Sequence, residues 1–205
     1  MGGYAADAPW WSGLAQRVDA PREAAWTEPN APRERVSWYE AVAYCRWLSA
    51  ALKQAICLPT EQQWERVASA TDGREYPWGK DYQVGSANCD EVSFDKLPGG
   101  VLVGRTTAVG IYPLTRAEVA FDLAGNVWEW CLNEREKPEN IGLVGDASRV
   151  LRGGSWFDFT QSLRAANRSV DHPGGRDNSV GFRVCRVAPF ETLSAAHLDA
   201  GPLAR

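Results

Sequence analysis

The chain has 205 residues, 44% of them apolar, and a formal net charge of -4. That length buries one full core and hardly two, so a single domain is expected, and the acidic balance excludes a general nucleic-acid binder, which neutralises phosphates with an excess of Lys and Arg. Ten Trp against one Met and two His suit a loop-rich α+β core in which flat, bulky side chains replace the leucines of long helices.

Residues 1–35 are rich in Pro, Ala and Trp without periodicity, which predicts an extended wrap across the core. Ser37-Trp38-Tyr39-Glu40 is a capping box, and Ala41, Tyr44, Cys45, Leu48 and Leu52 at helical spacing predict a helix with these residues inward. A second box, Thr60-Glu61-Gln62-Gln63, follows Leu58-Pro59 and predicts a helix to about Ala70, with Trp64, Val67 and Ala68 turned inward. From Asp72 onward, Gly, Pro, Asn and Asp punctuate short apolar runs, the pattern of long loops joined by brief strands. Val101–Val103, Val150–Leu151 and Phe182–Val187 are the strand candidates. The Ala-rich tail, 188–205, predicts a frayed end or an exposed helix.

Cys45, Cys57, Cys89, Cys131 and Cys185 show no Cys-x-x-Cys spacing, so neither a disulfide framework nor a zinc site is legible, and reduced, buried thiols are expected. No apolar run approaches the roughly 18 residues of a membrane span and no charged-then-apolar leader opens the chain, so the sequence reads as cytoplasmic with no membrane partner. Arginine is dense between Arg149 and Arg186, where guanidinium groups are expected to pin loops to Asp, Glu and carbonyls. Glu28-Pro29-Asn30 matches a sugar-binding tripeptide of C-type lectins but precedes the first helix, out of place for that role.

Six blocks follow in order: Val36-Ser37-Trp38-Tyr39-Glu40-Ala41-Val42-Ala43-Tyr44-Cys45, Leu58-Pro59-Thr60-Glu61 with Trp64-Glu65, Tyr76-Pro77-Trp78-Gly79, Gly125-Asn126-Val127-Trp128-Glu129-Trp130, Arg152-Gly153-Gly154-Ser155-Trp156 and Gly181-Phe182-Arg183. Together they resemble the formylglycine-generating enzyme (sulfatase-modifying factor) superfamily. The resemblance implies an α+β, C-type lectin-like fold with two helices, small antiparallel sheets and much irregular loop. It assigns 36–187 to that domain and leaves 1–35 as a wrap or the remnant of a larger protein.

In that family the oxidase holds copper with two cysteines shortly after the Gly-Gly-Ser block. Here that interval reads Trp156, Phe157, Asp158, Phe159, Thr160, Gln161, Ser162. Thiolate is the soft ligand that Cu(I) prefers, and carboxylate or hydroxyl does not replace it. Cys185 is the only thiol downstream of Ser155 and has no partner nearby in sequence. The related sulfoxide synthases use iron and three histidines, whereas this chain has only His172 and His197. The resemblance therefore implies a scaffold without catalysis and without a required cofactor. The competing reading is an enzyme with an unfamiliar site built from Asp158, Arg164, Arg168 and His172, and a third is a structural module of a larger protein.

Between the last two glycine landmarks, the residues Leu163 to Arg168, His172 to Gly174 and Arg176 alternate with clusters that follow no apolar period. The clusters are Phe157, Asp158 and Phe159; Ser162; Ser169, Val170 and Asp171; Gly175; and Asp177, Asn178 and Ser179. This alternation resembles the variable region of diversity-generating retroelement proteins of the same superfamily, where adenine-directed mutagenesis of Asn codons alters ligand contacts and leaves scaffold codons unchanged. Every cluster residue is reachable from an AAC codon through its first two bases; an ordinary, non-diversified member is the alternative. The resemblance implies a protein ligand gripped at 157–180, with Phe157 and Phe159 as anchors and Asp158, Asp171 and Asp177 as acceptors. Alternatively the two phenylalanines are core.

Structural Ca2+ is the one metal that the resemblance implies. Asp122, Asn126 and Glu129 supply hard oxygen donors, and Asn88 with Asp90 a second set. The alternative is that Asn126 caps a turn and Glu129 pairs with an arginine.

Overall fold

The structure, a computed structural model, describes Tyr4, residues 8–112 and residues 120–186. Both capping boxes form as the sequence predicts. At the start of α1 (Trp38–Leu52), Ser37 Oγ accepts the Glu40 N–H at 3.2 Å and the Glu40 carboxylate accepts the Ser37 N–H at 2.9 Å. Thr60 and Gln63 make the same exchange ahead of α2 (Glu61–Ser69). Each satisfies backbone donors that a helix N-terminus leaves unpaired.

The buried arc of α1 is Trp38, Tyr39, Ala41, Val42, Ala43 and Cys45. Tyr44 and Leu52, expected inward, are exposed instead. The helix outruns the core it packs on: Tyr44 leans on the Trp47 and Phe182 rings at the surface, and Leu52 sits on the last turn. In α2, Trp64 and Ala68 are buried and Val67 is half-buried.

A four-stranded sheet packs against α2. Its central strand, β2 (Trp128–Glu134), pairs antiparallel with β3 (Arg149–Arg152), and β4 (Ser169–Asp171) adds outside β3. On the other side of β2, β5 (Val180–Gly181) runs parallel, so this sheet is mixed and not purely antiparallel. Separately, β1 (Ile56–Cys57) pairs antiparallel with β6 (Cys185–Arg186). Val101–Val103 form no strand: all three are exposed, and the Val101 N–H goes to the Glu91 carboxylate in place of a ladder. Of the run predicted from Phe182, only Cys185–Arg186 pairs, and Val187 lies outside the described residues.

Tryptophans tie these pieces together because each buries a large apolar face and still offers one N–H. Trp38 Nε1 donates to the Cys131 carbonyl and Trp130 Nε1 to the Val36 carbonyl, both at 2.9 Å. The Arg149 guanidinium lies 4.0 Å over the Trp38 ring, a cation–π contact inside the core. The segment ahead of α1 joins the same core through buried Trp11, and Arg46 of α1 holds the Trp10 and Ser12 carbonyls at 2.7 Å each. Among the described residues, no helix is long and apolar enough to cross a membrane.

Candidate functional site

The candidate face starts where β3 ends. Gly153 and Gly154 have φ of +99° and +74°, a conformation open to glycine at little cost. A Cβ on Gly154 would stand 2.8 Å from Leu163 Cδ1 and 3.1 Å from the Ser162 carbonyl. The chain thus folds tightly under a single 3-10 turn, Thr160–Leu163.

Asp158 locks this turn. Its Oδ2 accepts from the Ser155 hydroxyl at 2.5 Å, from Trp128 Nε1 at 2.8 Å and from the Ser155 N–H at 3.1 Å. Its carbonyl accepts the Asp90 N–H at 2.8 Å. Asp95 accepts the Thr160 N–H, also at 2.8 Å. With the backbone so held, Phe157 is 69% and Phe159 38% exposed, on a Ser155–Asp158 turn and not on the extended segment the alternation suggested. Phe94, 73% exposed, packs on Phe159 with ring centroids 5.7 Å apart. Trp156 lies edge-on to both Trp26 and Phe157.

The loop bearing Phe94 is tied down from below by buried Glu91. That carboxylate accepts from the Tyr82 hydroxyl at 2.6 Å and from the Gly85 and Val101 N–H groups at 2.8 Å each. Burial, and then the bonds to Cys89 and Glu91, push the Tyr82 hydroxyl well above its ordinary value, and burial raises the Cys89 thiol to about 12. Both groups stay protonated and structural.

The remaining cluster residues fall in two places. Asp177, Asn178 and Ser179 sit beside the Phe157 turn, because Trp156 Nε1 donates to the Asn178 carbonyl and the Trp128 N–H to the Ser179 carbonyl. Asp177 also accepts the N–H and hydroxyl of Ser179. Ser169, Val170 and Asp171 form β4, half-buried at the opposite edge of the sheet from β5. Gly175 closes the turn after β4, where a Cβ would stand 2.1 Å from Asp171 Oδ2. Ser162 lines an open depression of ≈ 380 Å³ with Phe159, Gln161, Arg164, Ala166 and Asn167.

Six arginines of this region each reach a glutamate from the first 134 residues. Arg164 meets Glu75 at 2.9 Å, Arg176 meets Glu40 at 2.7 Å, Arg168 meets Glu61 at 2.6 Å and Arg183 meets Glu129 at 2.5 Å. Arg149 stands 3.9 Å from Glu134, and Arg152 pairs with Glu65. The arginines pin loops as their chemistry predicts. Consequently the four groups of the enzyme reading face different partners. Asp158 serves Ser155 and Trp128, Arg164 serves Glu75 and Arg168 serves Glu61, while exposed His172 accepts the Gly174 N–H.

The calcium donors fare similarly. Glu129 is occupied by Arg183 and by Trp64 Nε1, and Asn126 Oδ1 accepts from Thr107 and Asn88. Asp122 accepts the Gly110 N–H, and burial pushes its carboxyl above the ordinary carboxylate range. Asp90 Oδ1 is spent on the Val92 and Ser93 N–H groups, leaving Asn88 Oδ1 as the one buried oxygen of the set without a donor. A guanidinium already stands against Glu129, and among the described residues no group of three His, Cys, Asp or Glu is placed to hold a metal. In this structure the Asp122, Asn126 and Glu129 set, and separately Asp90 of the Asn88–Asp90 set, thus bond to protein partners.

Sequence reasoning missed Phe94 and Asp95. Their one signal is a bare aromatic in the polar stretch Glu91-Val92-Ser93-Phe94-Asp95, some sixty residues ahead of the face it joins.

A family profile described as "Sulfatase-modifying factor enzyme 1-like domain" matches residues 3–188. The formylglycine-generating enzyme of Streptomyces coelicolor is 32% identical over 95% of this chain and 66% of its own length. Inactive C-alpha-formylglycine-generating enzyme 2 of Mus musculus is 31% identical over 90% of this chain and 60% of its own length. The chain thus spans 60 to 66% of the length of these two relatives. Among solved structures, Treponema denticola variable protein 1 superposes with a TM-score of 0.65 at 22% identity, over 87% of this chain and 80% of that one. The fold is the C-type lectin-like arrangement of two helices, small sheets and ordered loop.

Proposed function

The chain belongs to the sulfatase-modifying factor enzyme 1-like family, and on that premise we propose that it is a non-catalytic, protein-binding member whose recognition surface is drawn from residues 157–180. The observation that carries this reading is the exposed aromatic set of Phe157, Phe159 and Phe94, standing on backbone that Asp158, Asp95 and the Arg–Glu pairs hold still. Solvated aromatic anchors on a rigid support are what a protein-binding patch needs, since little conformational freedom is lost on contact. Asp171 and Asp177 add acceptors for Lys, Arg or hydroxyl groups of a partner.

The ligand chemistry of copper argues against the family's oxidase reaction. Where soft thiolates are required, Asp158 offers a hard oxygen already consumed by three internal donors. The name of the inactive mouse relative supports a family scaffold without turnover. The Streptomyces relative favours the opposite reading, an oxidoreductase with an atypical site. Diversification by a retroelement draws support from Arg164, Arg168 and Arg176, which serve the scaffold between the clusters; Asp158, a cluster residue that also holds the scaffold, is the exception.

Two measurements decide. The purified chain, given Cu(I), dioxygen and a cysteine-containing sulfatase peptide, is expected to consume no oxygen and form no aldehyde. Pull-down from the source cell is expected to give a partner that the native chain holds and a Phe157→Ala, Phe159→Ala chain releases. Aldehyde formation, or a partner indifferent to both substitutions, would sink the reading. For diversification, the expected result is a near-repeat of the 152–186 coding segment with adenines at the cluster codons beside a reverse transcriptase gene.

A further inference from the structure

Cys57 and Cys185 stand directly opposite one another in the antiparallel pair of β1 and β6. Their sulfurs are 3.4 Å apart, both free and both half-exposed. This departs from the sequence expectation of isolated, buried thiols. Directly opposed residues of an antiparallel pair have Cα atoms about 4.5 or 5.5 Å apart, and either spacing lies inside the roughly 4.4–6.8 Å that a disulfide spans. The other thiols differ in kind. Cys45, Cys89 and Cys131 are buried, and burial raises all three, Cys45 and Cys89 to about 12.

We infer that Cys57 and Cys185 are an oxidation site, a dithiol that a small-molecule disulfide such as glutathione disulfide converts into a cross-strand bridge tying β6 to β1.

The exchange balances without another oxidant. The Cys57 thiolate attacks one sulfur of glutathione disulfide, that S–S bond breaks, and a first glutathione thiolate leaves. Cys185 then loses its proton to water, and its sulfur attacks Cys57 Sγ and expels the second glutathione. Both cysteines are oxidised and the small disulfide is reduced to two thiols. Cys57 is taken as the first attacker, because the hydrogen bond shared by the two sulfurs draws its thiol down to about 7 and raises Cys185. A thiol whose pKa lies near ambient pH is the most effective attacker, and half-exposure gives the reagent access.

The consequence is mechanical. Cys57 precedes α2 and Cys185 follows β5, so the bridge closes a loop containing the whole of 157–180. Its gain comes from narrowing the unfolded ensemble, and it fixes the two-residue strand β6 that a single short ladder otherwise holds. This inference does not rest on the binding reading.

The test treats the whole chain with glutathione disulfide, then maps peptides without reduction, counts thiols and records the melting temperature. The expected result is loss of two of the five thiols, a Cys57 peptide linked to the Cys185 peptide, and a Tm raised by on the order of 5–10 °C that dithiothreitol reverses. In a Cys185→Ser chain, oxidation is expected to stop at glutathione on Cys57 with no rise in Tm. A bridge from Cys57 to Cys45, a mixed disulfide alone in the unsubstituted chain, or an oxidised form no more stable than the reduced one overturns the inference. The mapping on the unsubstituted chain does not depend on any variant folding.

Discussion

The frame around Glu129 and the turn at Phe157 are near neighbours in space, yet they are built on opposite principles. Glu129 is buried and spends both carboxylate oxygens on Arg183 and Trp64. Phe157 and Phe159 expose their rings while their backbone is held by Asp158 and Asp95. The contrast teaches that rigidity here comes from polar groups and glycines beneath the surface, which frees the side chains above it from any structural duty. Substitutions in the two regions should therefore separate stability from binding.

The largest effect is expected at Gly125, where φ is +75° and an added Cβ would meet the Asn88 carbonyl at 2.3 Å. The clash is with backbone, so Gly125→Ala is expected to cost about 4 kcal/mol or more in urea unfolding; a near-neutral result would mean that the frame yields. Glu129→Ala strands the Arg183 guanidinium and the Trp64 N–H together. Arg183 keeps some solvent contact, which places the loss at about 3 kcal/mol by the same measurement. Ser37→Ala removes the α1 cap, whose neighbours Arg35 and Trp38 bond to the 173–177 segment, and is expected to cost about 1 kcal/mol. The smallest effect on folding belongs to Phe157→Ala, within about 0.5 kcal/mol of the unsubstituted chain. That same change is expected to weaken partner binding by a factor of about 30, measured by calorimetry. If Phe157→Ala unfolds the protein and leaves binding intact, the division between the two regions is wrong.

Much of the scaffold was legible because its signals are local. Ser37 with Glu40 and Thr60 with Gln63 are three residues apart, so the sequence alone discloses which backbone donors they satisfy. The loops from Asp72 onward follow from Gly, Asn and Asp, whose preferences are also local. The misplaced expectations are those that depend on what lies opposite. Tyr44 has the right spacing for an inward position, but the core ends before reaching it. Val101–Val103 have strand composition, but the Glu91 carboxylate takes the donor a ladder would use.

For the candidate face, the sequence named Phe157, Phe159 and the 177–179 turn, and the fold set them beside one another through Trp128 and Trp156. It also carried Ser169, Val170 and Asp171 to the other sheet edge, a separation invisible in a linear text because it depends on strand order.

Sequence by itself determined the two helices, the family frame and the absence of a thiol pair after Gly154, since the helices are written in local capping patterns, the frame in six short blocks and the absence in residue identity alone. Only the tertiary structure decided which glutamate each arginine reaches, that Phe94 joins the face, and that Cys57 meets Cys185, 128 positions further along the chain. The reason is that pairing between distant segments is fixed by which partners remain once the core has closed, and that selection has no local chemical trace.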